Sequence, residues 1–336
     1  MRKVSASIVA FSLLLACGAC APGGDVPTPT PATHSARPAL SSSQREAMEA
    51  SVFEAIAGAD SALNAHNLGV RAAGPFLAQR SAEYALKSIL ADSYALSRLS
   101  PLASQSVVSA SHSYPHVALS IMNPAQGSNL QTMNVFTQDD ARSLFKLWGV
   151  MSILPGATVP GLALDSSGAR SLAADSAEGL PASPTAVIAA YASLNQTRED
   201  SAGLTFADDA LRTKLAASAD ANAKAVEGAG SATMNFSAGT TTPVALATSD
   251  GGALVVAQMD FSSHISITTA QAKIKVGSTI GALASGQAGG EIEVTGSLTA
   301  NYTVSVAFYV PAAGAADQTI RVVGASDPVL LSAQNG

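Results

Sequence analysis

Cysteine is almost missing from this chain of 336 residues: there are two, Cys17 and Cys20, and both fall within the first twenty positions. No disulfide is therefore expected in the body of the protein, and its stability has to come from packing. About 290 residues beyond a short leader and linker are enough for a large core. Charge is also scarce. Only 12% of residues are charged, 18 basic against 24 acidic, without a Lys/Arg cluster. Such a chain is a poor ligand for nucleic acid, so no nucleic-acid partner is expected. Aromatics make up 5%, with a single tryptophan, Trp148. The motifs that carry common chemistries are missing as well. There is no G-x-S-x-G elbow, no H-E-x-x-H, no aspartate-rich calcium loop and no G-x-x-x-x-G-K-[ST] phosphate cradle. The expectation is a protein that is not an enzyme and has no catalytic residue, metal or cofactor.

Long apolar runs are missing too, with one informative exception. Val4 to Ala16 is a thirteen-residue apolar stretch behind Arg2 and Lys3. It suits a secretory h-region and is shorter than the ~20 residues a spanning helix needs. Leu14-Leu15-Ala16-Cys17 then resembles a lipobox, in which Cys17 takes a diacylglycerol and the signal is cut between Ala16 and Cys17. Cys20 is the competing acceptor, but it lacks an aliphatic residue three places before it. Cleavage would remove Arg2 and Lys3 and no acid, taking the formal net charge from −6 to −8. Two acyl chains give stable anchoring where one gives marginal binding. The expected location is the extracytoplasmic face of the cell membrane, with the lipid as the membrane partner.

Residues 17–42 read as the lipidated cysteine and a tether. Pro22, Pro27, Pro29, Pro31 and Pro38 recur among small polar residues, a composition that cannot bury enough apolar surface to fold. A first α+β domain is expected over 43–160. Ser43-Gln44-Arg45-Glu46 reads as a capping box, and Val52, Ile56, Ala59 and Leu63 follow at helical spacing. Gly74-Pro75 opens a second helix. Residues 107–123, 131–138 and 142–154 are rich in β-branched and aromatic residues and read as strands. The Gly/Pro/Ser/Asp-rich stretch 161–182 reads as a linker, with a short strand expected near Leu172. A second α+β domain is expected over 183–330, with helices from Ser183-Pro184 and from about Phe206. Strands follow, two of them joined by the tight hairpin Ser249-Asp250-Gly251-Gly252, and the chain closes with a tail, 331–336.

Helices followed by strands, twice, suggest two tandem helix-plus-antiparallel-sheet domains of cystatin-like (NTF2) type. The alternative is an N-terminal α+β domain with a C-terminal β-sandwich. Folds of the first kind often hold a cavity between helix and sheet. The candidate pocket residues are Asp60 on the first helix, Arg80 and Tyr84 one turn apart on the second, and Trp148 on a strand. Burial would make Asp60 a candidate base, while the plainer reading is a solvated aspartate or a structural Asp–Arg pair. His112 and His116 are four apart, but Pro115 intervenes, and on a strand they would lie about 13 Å from each other.

Several segments in order resemble an uncharacterised family of actinobacterial exported lipoproteins. They are Leu154-Pro155-Gly156-Ala157-Thr158-Val159-Pro160, Ser183-Pro184 with Tyr191, Asp250-Gly251-Gly252-Ala253-Leu254-Val255, Val310-Pro311-Ala312-Ala313-Gly314, and Arg321-Val322-Val323-Gly324-Ala325. The resemblance covers roughly residues 45–330 and implies a bacterial envelope protein; it brings no activity with it. The functional expectation is a non-catalytic binding or structural module of the envelope with a protein partner or apolar ligand. The alternatives are a cystatin-like cavity enzyme or a carrier of an apolar small molecule.

Overall fold

The computed structural model describes residues 37–165, 168–200 and 202–336. The signal segment, Ala16 and Cys17, and the tether up to residue 36 lie outside the described residues. The described residues form one compact unit.

Its first part is helical: α1 (Ser42–Ala62), α2 (Ala65–Leu68) and α3 (Gly74–Leu90). The capping box is present but starts earlier than the sequence suggested. Ser41 is the N-cap, its hydroxyl accepts from the Gln44 amide, and the Gln44 side chain accepts from the Ser41 amide. Glutamine three residues after serine serves as well as glutamate, and this frame starts the helix at Ser42. Leu63 adopts a left-handed conformation that ends α1 and starts the turn into α2. Met48, Val52, Ile56 and Ala59 form the buried stripe of α1.

Four strands follow, β1 (Ala103–Val108), β2 (His116–Met122), β3 (Thr132–Gln138) and β4 (Lys146–Ile153), paired as an antiparallel meander. Three two-residue strands come next: β5 (Leu164–Asp165), β6 (Gly168–Ala169) and β7 (Ser171–Leu172). Helices α4 (Pro184–Thr197) and α5 (Ala210–Ala225) precede β8 (Gly230–Ala238), β9 (Val244–Ala247) and β10 (Ala253–Ile267). Then come β11 (Ile274–Val276), α6 (Ser278–Ser285), β12 (Ile292–Val294), β13 (Ser297–Val310), β14 (Arg321–Ala325) and β15 (Val329–Asn335).

The pairing of these strands corrects the expected fold. Neither two tandem cystatin-like domains nor an α+β domain beside a β-sandwich is found. A single eleven-stranded sheet runs through both halves in the order β1-β2-β3-β4-β14-β13-β10-β9-β7, with β15 added to β13 and β8 to β10. The sheet is open, with β1 and β7 at the ends of this path, whereas an NTF2-type sheet would be closed. The seam between the halves is short: Gly324 pairs with Ile153 and Ala325 with Ser152. Gly324 permits it, because a Cβ there would sit 3.2 Å from the Ser152 carbonyl oxygen. A linear order of helices and strands carries no information about this pairing between distant strands. Within the stretch 161–182, β7 forms where a short strand was expected near Leu172, and it pairs with β9 inside the sheet.

The two long strands organise the second region. β10 and β13 pair continuously from Ala253↔Val310 to Ser266↔Ser297. Each changes its outer neighbour along its length. β10 meets β9 at Ala253–Val256 and β8 from Met259 onward, while β13 meets β15 at Leu298–Thr303 and β14 from Val306 onward. The β9–β10 turn is the expected hairpin, with Gly251 at φ +88°.

Alternation along the strands builds three clusters. Helices α1–α3 cover Ala118, Phe136 and Leu147. Helices α4 and α5 cover Val255, Ala257, Met259, Val304, Val306 and Phe308. On the other face, Val117, Leu119, Met133, Val135, Trp148 and Met151 join Leu246, Leu254, Val256, Ala307 and Val323, so both regions share that cluster.

Candidate functional site

Three of the four candidate pocket residues come together. One helical turn separates Arg80 from Tyr84 on α3, and both reach Asp60 on α1. The Arg80 guanidinium donates from Nε to Asp60 Oδ1 at 2.9 Å and from Nη2 to Oδ2 at 2.6 Å, and Tyr84 Oη donates to Oδ1 at 2.6 Å. Arg80 Nη1 also bonds Glu83 Oε2 at 2.8 Å and the Ser97 carbonyl at 2.7 Å. The second oxygen of Glu83 takes the Ser97 amide at 3.0 Å and its hydroxyl at 2.5 Å. Glu83 and Ser97 were not anticipated, although Glu83 lies three residues from Arg80, a spacing that places them on one helix face.

Arg80, Glu83 and Tyr84 are buried, with Arg80 3% and Tyr84 2% exposed, while Asp60 is half-buried and Ser97 lies at the surface. Burial works to lower the Arg80 pKa, but its bonds to Asp60 and Glu83 outweigh that and hold it above its ordinary value. Burial, followed by the bond to Asp60, raises the Tyr84 phenol. Both carboxylate oxygens of Asp60 are engaged by donors, so the group acts as a clamp between α1, α3 and the 97–99 segment. A cavity of about 420 Å³ lies beside it, lined by Phe53, Asp60, Arg80, Leu96 and Leu99 among others.

Trp148 does not join this cluster. It lies on the other face of the sheet, packed on Gly74, where a Cβ would come within 2.6 Å of the indole. It lines a separate cavity. His116 begins β2 beside Tyr114, with ring centroids 4.3 Å apart. Among the described residues no group of three or more His, Cys, Asp or Glu is arranged to hold a metal.

A different site emerges at the far end of the long strands, where β10 and β13 have passed beyond β9 and β14. Here one face of the ladder presents the cross-strand pairs Phe261↔Tyr302, Ser263↔Ala300 and Ile265↔Leu298. Phe261 and Tyr302 stack with centroids 4.8 Å apart and planes at 9°. Helix α5 forms one wall through Leu215, Ser218, Asn222 and Val226. The β11–α6–β12 excursion forms the other through Ile274, Val276 and Ile280. The enclosed volume is about 450 Å³, within the ~300–1,000 Å³ typical of small-molecule sites. The interior is mostly aliphatic and aromatic. Its side-chain hydrogen bond runs from Asn222 Nδ2 to Ser263 Oγ at 3.1 Å. Lys275 and Lys214 stand at the rim, paired with Glu291 at 2.7 Å and Asp327 at 2.9 Å.

Ile265, Ile274, Val276 and Ile280 stay half-buried around this space, which leaves apolar surface for a guest to cover. Burial raises the Tyr302 phenol. The sequence carried part of the signal: residues of both faces alternate in β10. It gave no sign of the opposite wall, which β11 and α6 build between the two long strands.

An open antiparallel sheet with two helical layers and an apolar pocket over one end defines the general class. The chain belongs to the family of the domain of unknown function DUF8094, whose model matches residues 113–329. That span includes both halves of the sheet and starts after α1–α3. No curated protein and no solved structure matches the chain.

Proposed function

We propose that this is an exported bacterial lipoprotein of actinobacterial type, anchored through Cys17 to the extracytoplasmic face of the membrane, whose folded part carries an apolar small molecule. The observation that carries the ligand reading is the pocket between α5, the β10–β13 ladder and the β11–α6–β12 excursion. Its floor is Phe261, Ile265, Leu298, Ala300 and Tyr302. The polar side chains of the interior bond within the protein, Asn222 to Ser263 and Ser218 to the Lys214 carbonyl, so a mostly apolar guest fits the remaining surface. The anchoring reading rests on the Leu14–Cys17 motif and the apolar run before it.

The direct test is native mass spectrometry of the full chain purified from its own host, before and after denaturation. A reproducible bound mass is expected that is absent from Ala300→Phe, which fills the pocket from its floor, and reduced in Ile280→Asp, which makes its wall polar. A bound mass that survives both substitutions, or none in the native protein, counts against the carrier role. Anchoring is read separately by labelled palmitate, with incorporation expected in the native chain and lost in Cys17→Ser.

A further inference from the structure

A larger cavity than the apolar pocket, about 820 Å³, lies elsewhere and has a different chemistry. Five stretches of chain surround it: Ala73 and Gly74 at the start of α3, Ser111, Ser113–Pro115 and Val117 at the entry to β2, Thr137 and Asp139 at the end of β3, Ser171–Ala174 around β7, and Thr241–Ala245 leading into β9. The indole of Trp148 closes it from the shared core. We propose that this cleft is a second binding site, independent of the apolar pocket, and that its ligand is a neutral oligosaccharide.

The lining selects that class. Hydroxyls dominate the polar part: Ser111, Ser113, Tyr114, Thr137, Thr241 and Thr242. A hydroxyl both donates and accepts, as each sugar hydroxyl does, so a set of them matches a polyol without requiring charge. Ser171 Oγ is buried in the same wall and has no hydrogen-bond partner among the described residues. Asp139 supplies an acceptor-only group able to take two hydroxyls. It is exposed and has no ion-pair partner among the described residues, while neighbouring Asp140 is occupied by the Ser143 hydroxyl and the Arg142 amide. Lysine, arginine and histidine do not occur among the lining residues. That composition, with one carboxylate, disfavours phosphates and acidic sugars through desolvation and repulsion.

The apolar part fits equally. Tyr114 is 41% exposed at the mouth and offers a ring face, and Trp148, Pro115 and Pro243 present flat surfaces to the C–H faces of a sugar. The volume lies near the upper end of the ~300–1,000 Å³ range for small-molecule sites, which favours several linked rings over one.

The single tryptophan makes the test specific, because Trp148 emission reports from this cleft alone. The full chain is titrated with chitotriose, maltotriose and cellotriose, with tetramethylammonium as the cationic competitor for an aromatic and carboxylate site. A saturable emission change with at least one trisaccharide is expected. Its dissociation constant should rise at least tenfold in Asp139→Ala and in Tyr114→Ala, two exposed positions whose loss should leave the melting temperature unchanged. No response to any trisaccharide, saturation by tetramethylammonium alone, or a response that persists in both variants overturns the proposal.

Discussion

Replacing Asp60 with alanine should destabilise the protein without touching the apolar pocket. The substitution removes three hydrogen bonds, two from Arg80 and one from Tyr84, at 2.6–2.9 Å. Breaking one partner out of a fully buried ion pair costs about 3–5 kcal/mol, because the other charge stays buried. Two features of this site reduce that figure. Asp60 keeps 22% of its side-chain surface in solvent, and Arg80 retains Glu83 and the Ser97 carbonyl. The expected loss is therefore about 2–4 kcal/mol, or roughly 4–8 °C in Tm for a unit of this size.

Urea unfolding of the native chain, Asp60→Ala, Arg80→Met and the double variant forms a cycle that reads the coupling. The double variant should cost less than the sum of the singles, since each single variant already loses the Asp60–Arg80 bonds and the double variant loses them only once. Tyr84→Phe, which removes one bond, should cost about 0.5–1.5 kcal/mol. A loss below about 1 kcal/mol in Asp60→Ala would refute the clamp reading. So would a stable Asp60→Ala protein that no longer binds its ligand, which would make Asp60 a working group.

Other outcomes follow from other parts of the structure. Gly74→Ala should cost about 1–3 kcal/mol, through its φ of +53° and a Cβ 2.6 Å from Trp148, and should shift the emission of that residue. Asp209 caps α5 through the Arg212 amide at 2.8 Å and accepts from Tyr191 Oη, so Asp209→Ala should cost about 1–2 kcal/mol. Burial, ahead of those bonds, raises the Asp209 pKa above 3.8, so whatever stability its protonation contributes is full below that value and is lost as pH rises through the folded value. Asp209→Asn keeps the cap without the charge and should be as stable as the native chain at neutral pH; a loss matching that of alanine would contradict this. Burial lowers the His116 pKa below 6.5, so its contribution is full above 6.5 and is lost as pH falls through the folded value. Its imidazole resonances should titrate below those of a free histidine, and a midpoint at or above 6.5 would be inconsistent with the burial. In the β9–β10 hairpin, Asp250 accepts from Thr248 and Tyr309 and is held below the usual carboxylate range, while the Tyr309 phenol is pushed up to about 12. Tyr309→Phe should raise the Asp250 titration midpoint, as measured by carboxyl NMR.

What could be read along the chain was local. Pro184 after a capping Ser183, Pro75 after Gly74, and the Asp-Gly-Gly turn before Ala253 act through neighbouring backbone, and each appears where its chemistry requires. Asp60, Arg80 and Tyr84 were also within reach of sequence reasoning, because helical spacing fixes which side chains share a face.

Pairing between distant strands was decided by the tertiary structure alone. β4 meets β14 across more than 160 residues, and β7 leaves an apparent linker to join β9. Hydrophobic alternation says which side of a strand is buried but not which strand lies beside it. The apolar pocket depends on that same information: its floor comes from two strands, one wall from α5, and the other from β11 and α6. The proposed lipidation, by contrast, rests on a linear motif, Leu14–Cys17, whose reading needs no fold. Local chemistry was therefore available from sequence, whereas the single sheet, the shared core and the cavities required the free energy of long-range burial to choose among pairings that look alike along the chain.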